Sequence, residues 1–173
     1  MVHEDPGRRS DRHADPNDRL RQQNLAPGKR APTRMTYYIL VCGGRDFQDW
    51  DRFQAVMEEE RIAALQACPI GETITLCVLT GDAHGADAMG KNWARNNGHK
   101  FIEEKADWLK YNLASGPMRN ATMAAFLATK LPYTRAVAFW DGFSTGTEDM
   151  LKKATRMYKK AGVLPPPVRI EYY

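Results

Sequence analysis

Tyr37-Tyr38-Ile39-Leu40-Val41-Cys42, closed by Gly43-Gly44, is a six-residue run of β-formers ended by a tight turn. Its apolarity is continuous rather than alternating. That pattern belongs to a strand buried on both faces, and such strands sit in parallel sheets covered by helices. A parallel strand must be followed by a crossover, and the next residues supply one. Asp49 is placed to cap a helix in which Trp50, Phe53, Met57 and Ala64 fall near i, i+3, i+7 and i+14. Pro69 and Gly71 close it.

The same alternation continues outward. Thr73–Leu79 reads as a second buried strand, and 86–96 as a helix stopped by Gly98. His99–Glu103 is a weaker third strand, followed by a loop holding Trp108. Residues 117–129 read as a helix with Pro117 in its first turn, where a missing N–H is no loss. Arg135–Trp140 is a fourth strand, Thr145–Ala161 a fourth helix and Val168–Tyr172 a last short strand. Strand–helix alternation at this spacing predicts right-handed β-α-β units. The expected fold is α/β: a Rossmann-like, doubly wound, mostly parallel sheet of about five strands in a single domain.

Composition bounds the rest. The chain has 173 residues and a formal charge of +4. Residues 1–34 carry 8 basic and 5 acidic side chains and therefore +3 of that charge. This segment contains Pro6, Pro16, Pro27 and Pro32 but no aromatic residue and no Ile. It buries too little apolar surface to offset its ordering entropy, so it is expected to be a disordered basic tail preceding a domain at 35–173. Met35, directly before the first strand, also reads as an alternative start. The remaining body is nearly neutral, which argues against nucleic acid as partner. No run of about 18 apolar residues predicts a membrane span, and the N-terminus has no apolar stretch of a secretory signal. Cys42, Cys68 and Cys77 are odd in number and lack C-x-x-C spacing, so neither a disulfide framework nor a zinc site is expected. These features point to the cytoplasm.

In doubly wound sheets, ligands bind beyond the carboxyl ends of the strands, and four loops fall there. The first is Gly43-Gly44-Arg45-Asp46, with two glycines for close backbone approach and a guanidinium suited to phosphate. The second runs Gly81-Asp82-Ala83-His84-Gly85-Ala86-Asp87; it is neither a Walker A loop nor a G-x-G-x-x-G fingerprint, but it opens a helix, and Asp87 is placed to cap it or hold a ribose hydroxyl. The third places Arg119 and Asn120 in the first turn of an apolar helix, where a cation gains from an anion beside it. The fourth is Asp141-Gly142-Phe143-Ser144-Thr145-Gly146-Thr147, hydroxyls beside glycines at a helix start, with Ser144 and the following acids resembling a capping box. Each loop alone also reads as an ordinary β-α turn. Together they gather glycines, two arginines, hydroxyls and helix N-termini at one sheet edge, and predict a small nucleotide-type ligand. Trp108 and Trp140 lie near this rim, either to stack on a base or to pack in the core.

The ordered motifs Val41-Cys42-Gly43-Gly44-Arg45-Asp46-Phe47, Gly81-Asp82-Ala83-His84-Gly85-Ala86-Asp87, Gly116-Pro117-Met118-Arg119-Asn120-x-x-Met123 and Ala138-Phe139-Trp140-Asp141-Gly142-x-Ser144-x-Gly146-Thr147 resemble the YspA-type branch of the SLOG superfamily, over residues 37 to 170. That superfamily joins the Smf/DprA proteins with the Lonely Guy phosphoribohydrolases, and the branch is common in phage and bacterial genomes. The resemblance implies a Rossmann-like fold binding nucleotides or their derivatives, and homodimers in some members. It matches Arg119 to the Lonely Guy catalytic arginine, but puts Met150 where those enzymes have their catalytic glutamate.

Three functions follow in order. The first is a binding module that senses, sequesters or carries a nucleotide derivative, with Gly43, Gly44, Arg45, Asp46, Gly81, Gly85, Asp87, Arg119, Asn120, Asp141, Gly142, Ser144, Gly146 and Thr147 around the ligand. The alternative is a phosphoribohydrolase or N-glycosidase acting on a nucleoside monophosphate or an ADP-ribose-like compound, with Arg119 and an acid, Asp149 foremost and Glu148, Asp87 or Asp46 behind it. The last is DprA-like binding of single-stranded DNA. No metal site is expected; a Mg²⁺ accompanying the ligand's phosphates is the one cofactor left open.

Overall fold

The computed structural model describes residues 31–173. Among these residues, five strands and five α-helices follow one another: β1 (Arg34–Gly43), α1 (Trp50–Gln66), β2 (Thr73–Thr80), α2 (Ala86–Asn96), β3 (Lys100–Glu103), α3 (Trp108–Tyr111), α4 (Ser115–Ala128), β4 (Thr134–Trp140), α5 (Thr145–Lys160) and β5 (Val168–Tyr172). The strand order is β3-β2-β1-β4-β5, and every pairing is parallel. The order reverses between β1 and β4, which is the topological switch point of a doubly wound sheet.

Two apolar layers explain why the strands lack alternation. On one face Ile39, Val41, Val78, Val137 and Phe139 pack with Phe53 and Met57 of α1 and Trp93 of α2. On the other Leu40, Cys42, Leu79 and Ala138 pack with Met123 and Leu127 of α4 and Met150, Leu151 and Tyr158 of α5. Each central strand therefore buries both its faces.

The elements match the sequence reading closely, and the departures have local causes. β1 starts at Arg34, ahead of Met35, because Arg34 pairs with Thr73 and its Nε–H donates to Thr75 Oγ1 at 2.7 Å. Asp49 caps α1 as expected, accepting from the Arg52 N–H at 3.0 Å. The segment expected as a loop around Trp108 contains a helical turn: Asp107 accepts from the Lys110 N–H at 3.0 Å, and Ser115 Oγ donates to the Asp107 carbonyl at 2.7 Å. This short-range capping draws α4 back to Ser115. The expected disordered tail, residues 1–34, lies outside the described residues as far as residue 30, and its last residue, Arg34, belongs to β1 because it pairs with Thr73.

Candidate functional site

A cleft of about 550 Å³ lies at the carboxyl edge of the sheet, across the β1–β4 switch. It gathers Gly43, Gly44, Arg45 and Asp46 from the first loop, Asp87 from α2, Arg119 and Asn120 from α4, and Asp141, Ser144, Gly146, Thr147 and Asp149 from the fourth loop and α5. Gly81, Gly85 and Gly142 are not in its wall.

The glycines divide by what fills the place of their missing side chains. A Cβ on Gly43 would strike the Phe139 carbonyl and Ala86. One on Gly44 would strike the Tyr173 hydroxyl. At Gly81 it would strike the Arg119 guanidinium and the Asp87 carboxylate, and at Gly85, with φ +68°, the carbonyl of Gly44. These four glycines make room for the protein itself, where close approach to a ligand was expected. Gly142 serves a turn at φ +82°. Only Gly146 both lines the cleft and has open space at its missing Cβ.

The first turn of α5 is open too. The capping box expected from Ser144 does not form: its side chain makes no bond to a backbone N–H, and its Oγ instead accepts from Thr147 Oγ1 at 3.1 Å. Asp141 takes the N–H groups of Phe143 at 2.8 Å and Ser144 at 2.7 Å, and these bonds, Ser144's first, hold its carboxyl below the usual range. The helix bonds begin with Glu148 N–H to the Ser144 carbonyl. The N–H groups of Thr145, Gly146 and Thr147 are thus the unfilled donors that an α-helix always leaves at its start, and they carry the positive end of the helix dipole.

Arg119 already has acids of the protein beside it. Its side chain is 14% exposed, and one Nη donates to Asp82 at 2.9 Å and lies 3.8 Å from Asp87. Its Nε–H is buried without a partner. Asp87, 4% exposed at the side chain, neither caps α2 nor faces solvent. Burial is the main influence on its carboxyl and raises its pKa to about 6, against the opposing pull of Arg119 and the Ala83 N–H. Asn120 is buried and works as a tie, donating to the Gly146 carbonyl at 3.1 Å and to Asp149 at 2.9 Å. Asp149 is further engaged by Lys153. Met150, 1% exposed, brings only apolar surface to the floor. The cleft wall holds Arg45 and Arg119 against four carboxylates, those of Asp46, Asp87, Asp141 and Asp149. Arg45 forms no ion pair among the described residues, which makes it the uncommitted cation of the wall.

The two rim tryptophans part ways. Trp108 lines the cleft, and beyond it lies a side pocket bounded by Arg45, Asp82, Ala83 and His84. Trp140 turns away, donating from Nε1 to the Ser144 carbonyl at 3.1 Å and packing near Tyr172. Sequence reasoning missed Tyr173. Its ring lies 4.8 Å from Phe47, its hydroxyl donates to Asp46 at 2.7 Å, and it occupies the space above Gly44. Only the end of β5 beside the first loop places it there, and that is a tertiary fact with no local signal.

Among the described residues, no group of three or more His, Cys, Asp or Glu is arranged to hold a metal ion. No helix there is long and apolar enough to cross a membrane.

An all-parallel, doubly wound sheet with a polar cleft over its switch point defines a Rossmann-like α/β protein. Within that class, residues 37–111 match the family model of the YspA, cpYpsA-related SLOG family (YAcAr). The match runs from β1 through α3 and takes in the first two rim loops; Arg119 and the start of α5 lie beyond it. No curated protein and no solved structure matches the chain.

Proposed function

We propose that the rim cleft binds a nucleotide or a nucleotide-derived small molecule. The observation that carries this reading is the start of α5: three unfilled N–H groups, the open space at Gly146 and the neighbouring Ser144 and Thr147 hydroxyls face one cleft. Oriented donors at a helix N-terminus suit a phosphate. The four carboxylates suit hydroxyls, such as those of a ribose, and are unfavourable to a polyanion threading the cleft. Trp108 supplies a flat apolar wall for a base. The family match supports the same reading.

Gly146→Ala tests it. The added methyl meets nothing in the free protein. Replacing a helical glycine by alanine stabilises by about 0.5–1 kcal/mol. The variant is therefore expected to melt higher than wild type while binding AMP or ADP-ribose about tenfold more weakly in calorimetry, a loss of about 1.4 kcal/mol. Wild-type protein that binds neither compound, or a variant that binds as tightly as wild type, overturns the reading.

Asp87 favours a second reading, an N-glycosidic hydrolase or transferase. A carboxyl at the cleft floor whose pKa is near 6 is suited to give and take protons at neutral pH, whereas Asp149 is committed to Asn120 and Lys153. Release of base from AMP by wild type and its loss in Asp87→Asn would establish turnover; no release by wild type would leave binding alone.

A further inference from the structure

On the far side of α5 from α4 lies an open groove of about 840 Å³ between that helix and the edge strand β5. Trp140, Leu151 and Ile170 contribute its apolar surface. Ile170 is 38% exposed and Tyr172, on the same strand face, 59%. In a parallel ladder, alternate residues of an edge strand turn their backbone polar groups outward. The Ala136 N–H donates to the Pro167 carbonyl and the Tyr173 N–H to the Trp140 carbonyl, so the outward residues are Val168, Ile170 and Tyr172. The Tyr172 carbonyl is taken by Arg52 at 2.6 Å. The N–H and C=O of Ile170 remain unpaired among the described residues.

Above this edge stands a ridge of positive charge. From Lys152 to Lys160, α5 carries five cations and no acid. Lys152 pairs with Glu148 at 2.5 Å, but Arg156, Lys159 and Lys160 form no ion pair among the described residues. Lys159 and Lys160 suit the negative end of the helix dipole. Arg156 lies a turn earlier, where that gain has faded, and it lines the groove.

We propose that this groove docks an extended, acidic segment of a partner protein, which adds to the edge of β5 at Ile170 while its carboxylates face Arg156 and Lys159. The three features answer three parts of such a segment: the unpaired edge meets its backbone, the apolar floor meets alternate side chains, and the ridge meets its charges. A nucleic acid would use the ridge and leave the edge and floor unfilled. A second copy paired through β5 would bring two cationic ridges together.

The test uses the full chain and a fluorescein-labelled peptide of alternating Glu and Val, seven residues long, read by fluorescence anisotropy at low salt. The peptide is expected to bind, and its Lys–Val counterpart is not. Arg156→Glu combined with Lys159→Glu is expected to weaken binding about tenfold or more. Ile170→Pro removes an outward N–H that β4 does not use, and is also expected to abolish binding. Both variants should remain folded, giving up only the favourable charge at the helix end and part of the Ile170 packing. Equal binding of both peptides, or undiminished binding by a variant that remains folded, overturns the proposal. It is also overturned if oligo-dT binds through the same residues while the acidic peptide does not. A wild-type dimer in sedimentation that Ile170→Pro dissociates would assign the groove to a second copy instead.

Discussion

Asp87 of α2 lies buried beside Arg119 of α4, with 4% of its side chain exposed. Burial disfavours the carboxylate, so its folded pKa is raised from 3.8 to about 6. A group with a raised folded pKa contributes stability that is complete below its unfolded pKa and is lost as pH rises through the folded one. The melting temperature is therefore expected to fall as pH rises from about 4 to about 6, with a cost at neutral pH of about 2–3 kcal/mol at most. Asp87→Asn should flatten that segment of the profile; an unchanged slope would assign it to other groups. The place of Asp87 in a glycine-rich turn was legible in the sequence; its burial was not, because the contact with Arg119 joins two helices separated in the chain, and the glycines behave alike. Their spacing predicted a loop cluster, but what each one makes room for depended on neighbours brought in by the fold: Tyr173, Arg119, Phe139.

At the scale of elements, sequence periodicity carried far. Asp49, Gly98 and Pro117 marked helix ends by local chemistry, and local chemistry is what a sequence displays. The turn at Trp108–Tyr111 escaped because it is too short for any period to show, and α4 begins early for the same reason. Also hidden was the ion network that fastens α1 beneath β4 and β5. The buried Glu60 of α1 accepts from Arg135 of β4, and from Arg169 of β5 at 3.4 Å. Removing one partner of a buried pair costs about 3–5 kcal/mol, and the guanidinium groups here retain some solvent. Glu60→Gln is therefore expected to lower the unfolding free energy by about 3 kcal/mol in urea titration, at the lower end of that range. A change below about 0.5 kcal/mol would mean the charges are repaid by water.

For the whole molecule, the continuous apolar runs sufficed to predict a mostly parallel sheet with its rim loops on one edge; every pairing proves parallel, and Thr33–Tyr173 forms that unit. The sign of the site did not emerge so readily. Arg45 and Arg119 read as an anion-attracting pair until Asp82 and Asp87 appeared beside Arg119. The strand ladder begins at Arg34 and draws on the Thr33 carbonyl, which accepts from the Thr73 N–H at 3.2 Å. Deleting residues 1–32 is accordingly expected to leave the melting temperature and AMP affinity unchanged. A drop in either on deletion would give the leading segment a part in the domain.

The rim is stitched in two pieces. Gly44 and Gly85 interlock the first two loops, with the Ala86 N–H on the Gly44 carbonyl at 3.3 Å, and Asn120 sews α4 to the first turn of α5. Arg119 is the side chain whose ion pairs reach from the second piece to the first. Losing it should uncouple them. In Arg119→Ala, amide hydrogen exchange at Gly81–Asp82 and in the first turn of α5 is expected to quicken before any ligand is added, while the centres of β1 and β4 keep their protection. Exchange that stays slow at both rims would show that the cleft holds its shape through its two seams alone.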